Sequence, residues 1–157
     1  MSSNSNPMYL DFWPIVSRLW KEKFSIEPIL LYIDETKPNI DISEEYGTVI
    51  RQEFVKNIPI SIQTLWIRYW FPSMFPNQVS IISDIDMLPL SRYYFIDQIK
   101  NVSENKYVHI NPCIESYGRI PSCYHIAKGK TFKRILELPD KWEDSLSTLH
   151  KDFKNPQ

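Results

Sequence analysis

The chain opens with a polar, turn-like stretch, residues 1–7. From Asp11, read as a helix N-cap with Pro14 tolerated in the first turn, Ile15, Val16, Leu19 and Trp20 fall at helical spacing. Lys21, Glu22 and Lys23 fall off that stripe. After Pro28, Ile29-Leu30-Leu31-Tyr32-Ile33 is an unbroken apolar run closing on Asp34, the pattern of a strand buried on both faces. Residues 35–45 are polar, contain Pro38 and read as a loop, and Thr48-Val49-Ile50 reads as a short strand. Ile62, Leu65, Trp66 and Tyr69 return to helical spacing up to Pro72. Val79-Ser80-Ile81-Ile82-Ser83-Asp84 is the clearest strand in the chain. Residues 91–100 predict a helix capped by Ser91, 107–110 and 123–127 predict strands, and 131–137 and 142–153 predict two closing helices.

Strands thus alternate with helices, which predicts an α/β fold with a mainly parallel sheet and helices on both faces. No internal repeat, low-complexity tract or linker interrupts it, so residues 1–157 read as one domain. A chain of this length buries about 68–70% of its unfolded surface, enough for a real core. Aromatic residues at 14% argue against disorder, because their burial offsets the entropy of ordering.

Charge and glycine content remove several function classes. The net charge is −1, so the basic excess of a polyanion-coating protein is missing and nucleic acid is not an expected partner. Gly47, Gly118 and Gly129 lie too far apart for G-x-G-x-x-G or a P-loop. No apolar run approaches the roughly 18 residues of a transmembrane segment. The N-terminal residues have neither the basic start nor the apolar stretch of a secretory signal. Cys113 and Cys123 are too few for a disulfide scaffold, so a reducing, cytoplasmic setting is expected.

The chemistry concentrates at strand ends, where α/β sheets bind ligands. Asp34 follows one predicted strand, and Asp84-Ile85-Asp86 follows the strongest one. Residues i and i+2 of an extended segment point the same way, so Asp84 and Asp86 place two carboxylates side by side. Oxygen ligands of this kind suit a hard divalent ion, Mg²⁺ or Mn²⁺, held by one or two carboxylates together with substrate phosphates. The competing reading is a solvated loop with two acids, since a D-x-D alone is a short motif.

Ser83-Asp84-Ile85-Asp86-Met87-Leu88-Pro89-Leu90 resembles the metal-binding segment of GT-A-fold glycosyltransferases, particularly the small viral and bacterial members. Ser2-Ser3-Asn4-Ser5-Asn6-Pro7 with Tyr9-Leu10-Asp11-Phe12-Trp13, Leu30-Leu31-Tyr32-Ile33-Asp34, and Cys123-Tyr124-His125-Ile126-Ala127-Lys128-Gly129 are similar, in order, to other segments of that family. The resemblance implies a three-layer α/β/α sandwich and a metal-dependent, hexosyltransferase-type enzyme. Such an enzyme moves a sugar from a UDP- or GDP-linked donor to a glycan or other hydroxyl acceptor. It implies that Asp86, with Asp84, holds Mn²⁺ or Mg²⁺ against the diphosphate. Asp84 and the intervening Ile85 lie against the ribose or sugar, and Ser3 and Asn4 line the nucleotide pocket. Asp34 meets the base or ribose, Gln63 and Arg68 bind nucleotide from the preceding helix, and His125 borders the sugar. The metal would stabilise charge on the departing nucleoside diphosphate. The family's opening apolar strand precedes its Ser-Ser-Asn-type segment, so that strand is expected to be missing here, as is the later acceptor region with its catalytic base. Asp140, Glu143 and Asp144 read as a solvated helix start. A non-catalytic nucleotide- or glycan-binding remnant is therefore the alternative to an active enzyme. An unrelated interaction domain is a third reading.

Other clusters have plainer explanations. His109, Cys113, Cys123 and His125 match no zinc-finger spacing. His125 also reads as a hydrogen-bonded structural histidine, and His150 as solvated. Trp66, Tyr69, Trp70 and Phe71, like Trp13 and Trp20, read as core at helical spacing, although an aromatic platform for sugars or bases has the same composition. Lys128, Lys130, Lys133 and Arg134 form a basic cluster, read as an exposed helix face. Ser83 lacks the G-x-S-x-G elbow of a hydrolase nucleophile.

Overall fold

The computed structural model describes residues 1–110 and 121–154, with side chains through residue 149; Cys113, Gly118 and the side chain of His150 lie outside that description. The fold is mixed α/β. β1 (Ser2–Ser3), β2 (Ile29–Tyr32) and β3 (Thr48–Arg51) form a parallel sheet in that order. β4 (Val79–Ile82), β6 (His125–Lys128) and β5 (Val108–His109) form a second sheet, with β6 in the middle and antiparallel to both neighbours. The expectation of a mainly parallel sheet is therefore corrected: half of the pairings are antiparallel. Hydrophobic runs show which segments are buried strands, but carry no direction, and β6 returns between β4 and β5 rather than beside them.

The helices differ from the expected set at their ends. α1 (Pro7–Leu10) is capped by Asn6, whose Oδ1 accepts from Met8 N at 3.1 Å, and Pro7 takes the N1 position where no N–H is needed. Asp11 lies at its C-cap, not at an N-cap. α2 (Trp13–Arg18) runs directly into a π-helical turn, Leu19–Lys23. Its buried face is Trp13, Val16, Ser17 and Trp20, whereas Ile15 is exposed. α3 (Ile60–Ser73) carries Pro72 inside its last turn. Ser91 does cap the next segment, accepting from Tyr94 N at 3.3 Å, but Tyr93–Asp97 closes as a π-helical turn. α4 (Gly129–Ile135) and α5 (Trp142–Lys154) follow β6. β6 starts at His125 because Tyr124 adopts φ 61°, outside strand geometry.

Strand β2 organises the core. Leu31 and Ile33 point to a cluster with Ile67, Trp70, Ile82, Phe132, Trp142 and Leu146, which gathers α3, α4 and α5. Leu30 and Tyr32 point the other way, to Trp13, Ile42, Val49 and Ile85. This period-2 division, apolar on both sides, is why the run reads as a continuous hydrophobic segment. A third cluster joins Val16, Trp20 and Phe24 to Phe95 and Tyr124. Trp20 and Phe95 meet edge to face with centroids 5.0 Å apart. Helices therefore pack on both faces of the sheets.

The N-terminal residues are not a turn. Ser2 and Ser3 pair with Leu31 and Tyr32, Leu31 N donates to Met1 O at 3.0 Å, and Ile33 N donates to Ser3 O at 3.1 Å. Sheet pairing satisfies backbone groups whatever the side chains are, so two serines serve as a strand despite their composition.

Candidate functional site

A polar cleft of about 410 Å³ opens where β1 and β4 end. Ser3 and Asn4 border it from β1, Thr64 and Arg68 from α3, and Asp84, Ile85 and Asp86 from the turn after β4. Each element arrives for a local reason. The β1 end is fixed by its ladder to β2, by Ser2 Oγ donating to Thr64 O, and by Asn4 Oδ1 accepting from Asn6 N at 3.0 Å. α3 is held by its apolar face, by Trp66 Nε1 donating to Ser145 Oγ at 2.7 Å, and by Trp70 Nε1 donating to Pro139 O at 3.0 Å. The β4 end is anchored by Ile82 and Ile85, which bury into opposite clusters and leave the two aspartates at the cleft.

Arg68 is the central cation. It is 7% exposed, its Nη1 forms an ion pair with Asp84 Oδ1, and its Nη2 donates to Ser122 Oγ at 3.0 Å. Its Nε–H is buried without a partner, an unmet donor beside the cleft. Asp86 is exposed and makes no hydrogen bond or ion pair among the described residues. The two carboxylates therefore differ: Asp84 is already neutralised by Arg68, and Asp86 is available. No three His, Cys, Asp or Glu among the described residues are placed to hold a metal by themselves. Magnesium needs no such cage when phosphate oxygens complete its shell. The donor set present, Asp86 with the second oxygen of Asp84, fits a phosphate-borne divalent ion in that sense.

Six of the expected site residues thus share the cleft: Ser3, Asn4, Arg68, Asp84, Ile85 and Asp86. The other three stand elsewhere. Asp34 Oδ2 accepts from Ser5 N at 2.7 Å, while its Oδ1 accepts from Thr36 N and Lys37 N, each at 2.7 Å, and from Thr36 Oγ1 at 3.0 Å. It ties the ends of β1 and β2 together. Burial pushes its carboxyl up, but these donors outweigh burial and hold it well below the ordinary range. Gln63 is fully buried, and all its side-chain hydrogen bonds go to the main chain of Val55 and Ile58. His125 is buried between Tyr107 OH, 2.9 Å from Nδ1, and Pro121 O, 2.7 Å from Nε2. Burial pushes its imidazolium pKa down, against the Pro121 carbonyl, which favours the charged form.

Ser61 and Thr64 also line the cleft, and neither stood out in the sequence. Their signal was present as spacing: 61, 64 and 68 fall on one face of α3, beside the apolar stripe. Ser122 carried no comparable signal, because only the fold brings it to Arg68. The aromatic residues of α3 act as core and scaffold: Tyr69 OH donates to Ser122 O at 2.8 Å, and Trp70 packs on Trp142 at 5.4 Å. Among the basic cluster, Lys128 pairs with Glu104 and Lys133 with Asp140.

In comparisons with known proteins, no family model, no curated protein and no solved structure matches this chain.

Proposed function

We propose that the cleft binds the nucleoside diphosphate of a sugar donor with Mn²⁺ or Mg²⁺, and that the chain is a GT-A-like, hexosyltransferase-type glycosyltransferase. The observation that carries this reading is Arg68, a buried guanidinium with an unmet Nε–H beside two carboxylates of unequal availability. An anion satisfies Arg68, a divalent ion satisfies Asp86, and a diphosphate bearing that ion satisfies both. Ser3, Asn4, Ser61 and Thr64 supply the hydroxyl and amide groups that ribose or base would meet. The ion's chemistry when bound is to stabilise charge on the leaving diphosphate, so that the sugar passes to a glycan or other hydroxyl acceptor.

A second reading, a donor-binding module without turnover, has one specific observation in its favour. Asp84 and Asp86 are the only carboxylates among the described residues lining the cleft. With both engaged by Arg68 and metal, neither is left to deprotonate an acceptor hydroxyl.

Calorimetric titration with UDP and GDP, each with and without Mn²⁺, tests the proposal. Metal-dependent binding that falls at least about tenfold in Asp86→Ala, with unfolding unchanged within about 0.5 kcal/mol, is the expected result. Metal-independent binding, or none by folded protein, overturns it. Donor hydrolysis or sugar transfer in the same samples separates enzyme from binding module.

A further inference from the structure

The antiparallel sheet has a face that the main core does not use. Ile82 on β4 and Ala127 on β6 turn into the main apolar cluster, and Tyr107 packs there from the entry to β5. Residues one step away along each strand point to the opposite face. The register sets these side by side: Ile81 and Val108 each stand opposite Ile126, and Val79 stands opposite Lys128. β5 and β6 are antiparallel, so Lys106, two residues before Val108, and Lys128, two residues after Ile126, fall at the same end of the pair. This face is apolar in one row and basic in the next.

Residues from Ile96 to Glu104 border that face and leave a pocket of about 250 Å³. Val108 and Ile126 line it from the sheet, and Ile99 and Val102 line it from the bordering segment. Three lysines, Lys100, Lys106 and Lys128, line it against one carboxylate, Glu104, which forms an ion pair with Lys128. Lys100 and Lys106 pair with no carboxylate among the described residues. Val79 and Val102 are exposed at its rim. No residue that lines this pocket lines the polar cleft. An apolar body with an excess of positive charge is complementary to a ligand with an apolar body and an anionic head.

We propose that this pocket binds a linear aliphatic carboxylate, a medium-chain fatty acid, at a site separate from the cleft. The carboxylate meets Lys106 and Lys128, and the chain lies over Val108 and Ile126 against Ile99 and Val102. A nucleotide or sugar would set polar groups against these aliphatic side chains, and a neutral hydrocarbon would leave the lysines unused. An apolar cavity of about 150 Å³ takes benzene, so one of about 250 Å³ takes a chain of about eight to ten carbons. Glu104 is a resident competitor. Its exposed carboxylate occupies Lys128 until the incoming carboxylate displaces it, and an ion pair open to water contributes little that must be overcome.

The test uses the whole 157-residue chain, titrated by calorimetry with hexanoate, octanoate, decanoate, dodecanoate and octan-1-ol. Affinity is expected to rise about threefold per added methylene up to about ten carbons and then level off. Octan-1-ol is expected to bind at least about tenfold more weakly than octanoate. Glu104→Gln removes the competitor and is expected to tighten octanoate binding about threefold or more. Unfolding only weakens binding, so this gain cannot come from a damaged chain. Val102→Glu sets a carboxylate beside the chain at an exposed residue, where the fold tolerates it, and is expected to abolish binding. No binding, affinity indifferent to chain length or to the carboxylate, no gain in Glu104→Gln, or full binding in Val102→Glu overturns the proposal. So does a dimer in sedimentation that Val102→Glu disperses, which would give this face to a second copy of the chain. Nucleotide titration of Val102→Glu is expected to match the natural chain, and a changed affinity would overturn the separation of the two sites.

Discussion

Replacing Gln63 by leucine asks whether its amide holds the chain or a ligand. Gln63 Oε1 accepts from Val55 N at 3.0 Å, and its Nε2 donates to Val55 O and Ile58 O, each at 2.8 Å. These bonds close residues 55–58 onto the first turn of α3. Leucine has similar volume, so the cavity contribution is small and the loss is polar. Each hydrogen bond contributes about 1 kcal/mol net, and a buried partner left unpaired costs about 1–3 kcal/mol. Val55 is partly exposed and its groups regain some water, so the sum is about 3 kcal/mol. Against a total stability of about 5–15 kcal/mol, the variant still folds. A domain of this size shifts in Tm by about 2–4 °C per kcal/mol, which gives a loss of about 6–12 °C. Urea unfolding with an unchanged slope is the assay, paired with nucleotide titration below the transition. The expected pattern is large destabilisation with unaltered nucleotide affinity. A stability loss under about 1 kcal/mol together with lost nucleotide binding would refute the reasoning, because the amide would then serve a ligand.

Two further predictions come from the same kind of accounting. Asp34 binds its proton less readily in the folded chain than in the unfolded one, so its stabilisation is complete above the ordinary value of 3.8 and disappears as pH falls through the lowered folded value. The difference in urea midpoint between the natural chain and Asp34→Asn is therefore expected to narrow below pH 3.8, and a difference independent of pH contradicts the assignment. Gly129 starts α4 against the end of α3, where an added Cβ collides with the carbonyl oxygens of Pro72 and Phe75. Gly129→Ala is expected to cost about 2 kcal/mol or more in thermal unfolding, since backbone cannot step aside as a side chain can, and a loss under about 0.5 kcal/mol contradicts it.

The elements most legible in the sequence are those whose signal is local. Residues 29–33 announce a buried strand because both faces are apolar, the strand expected over 79–84 forms at Val79–Ile82, and the α3 helix announces itself by periodicity. What stayed hidden depends on partners distant in sequence. Ser2 and Ser3 are a strand only because β2 offers its edge, and the antiparallel placement of β6 depends on β4 and β5. Within α3 the apolar pattern misjudged the inward face: Leu65 is half exposed, while the polar Gln63 and Arg68 are buried. A buried polar side chain is invisible to a hydrophobic pattern, and its partners, Val55 and Ile58 for one and Asp84 and Ser122 for the other, explain why it is tolerated. The D-x-D placement was readable because two like charges two residues apart after an apolar strand need no tertiary knowledge to be recognised. That Arg68 neutralises only one of them was not readable.

The cleft lies where the ends of the two sheets come together. The parallel sheet ends at β1 and the antiparallel sheet ends at β4. Open α/β sheets bind ligands in the crevice outside the carboxyl ends of their strands. Here the crevice has two parts, a polar cleft beyond the carboxyl ends and an apolar slot alongside the strands. Arg68 lines both. Its guanidinium is already divided between Asp84 and Ser122, with one N–H left over. An anion drawn to that group from either side competes with Asp84 for the same positive charge. Freed from Arg68, Asp84 would stand as a second unpaired carboxylate beside Asp86, and a phosphate-borne divalent ion can use one or two such groups. The ion pair that makes the cleft look closed to metal is thus the contact that a bound phosphate would open.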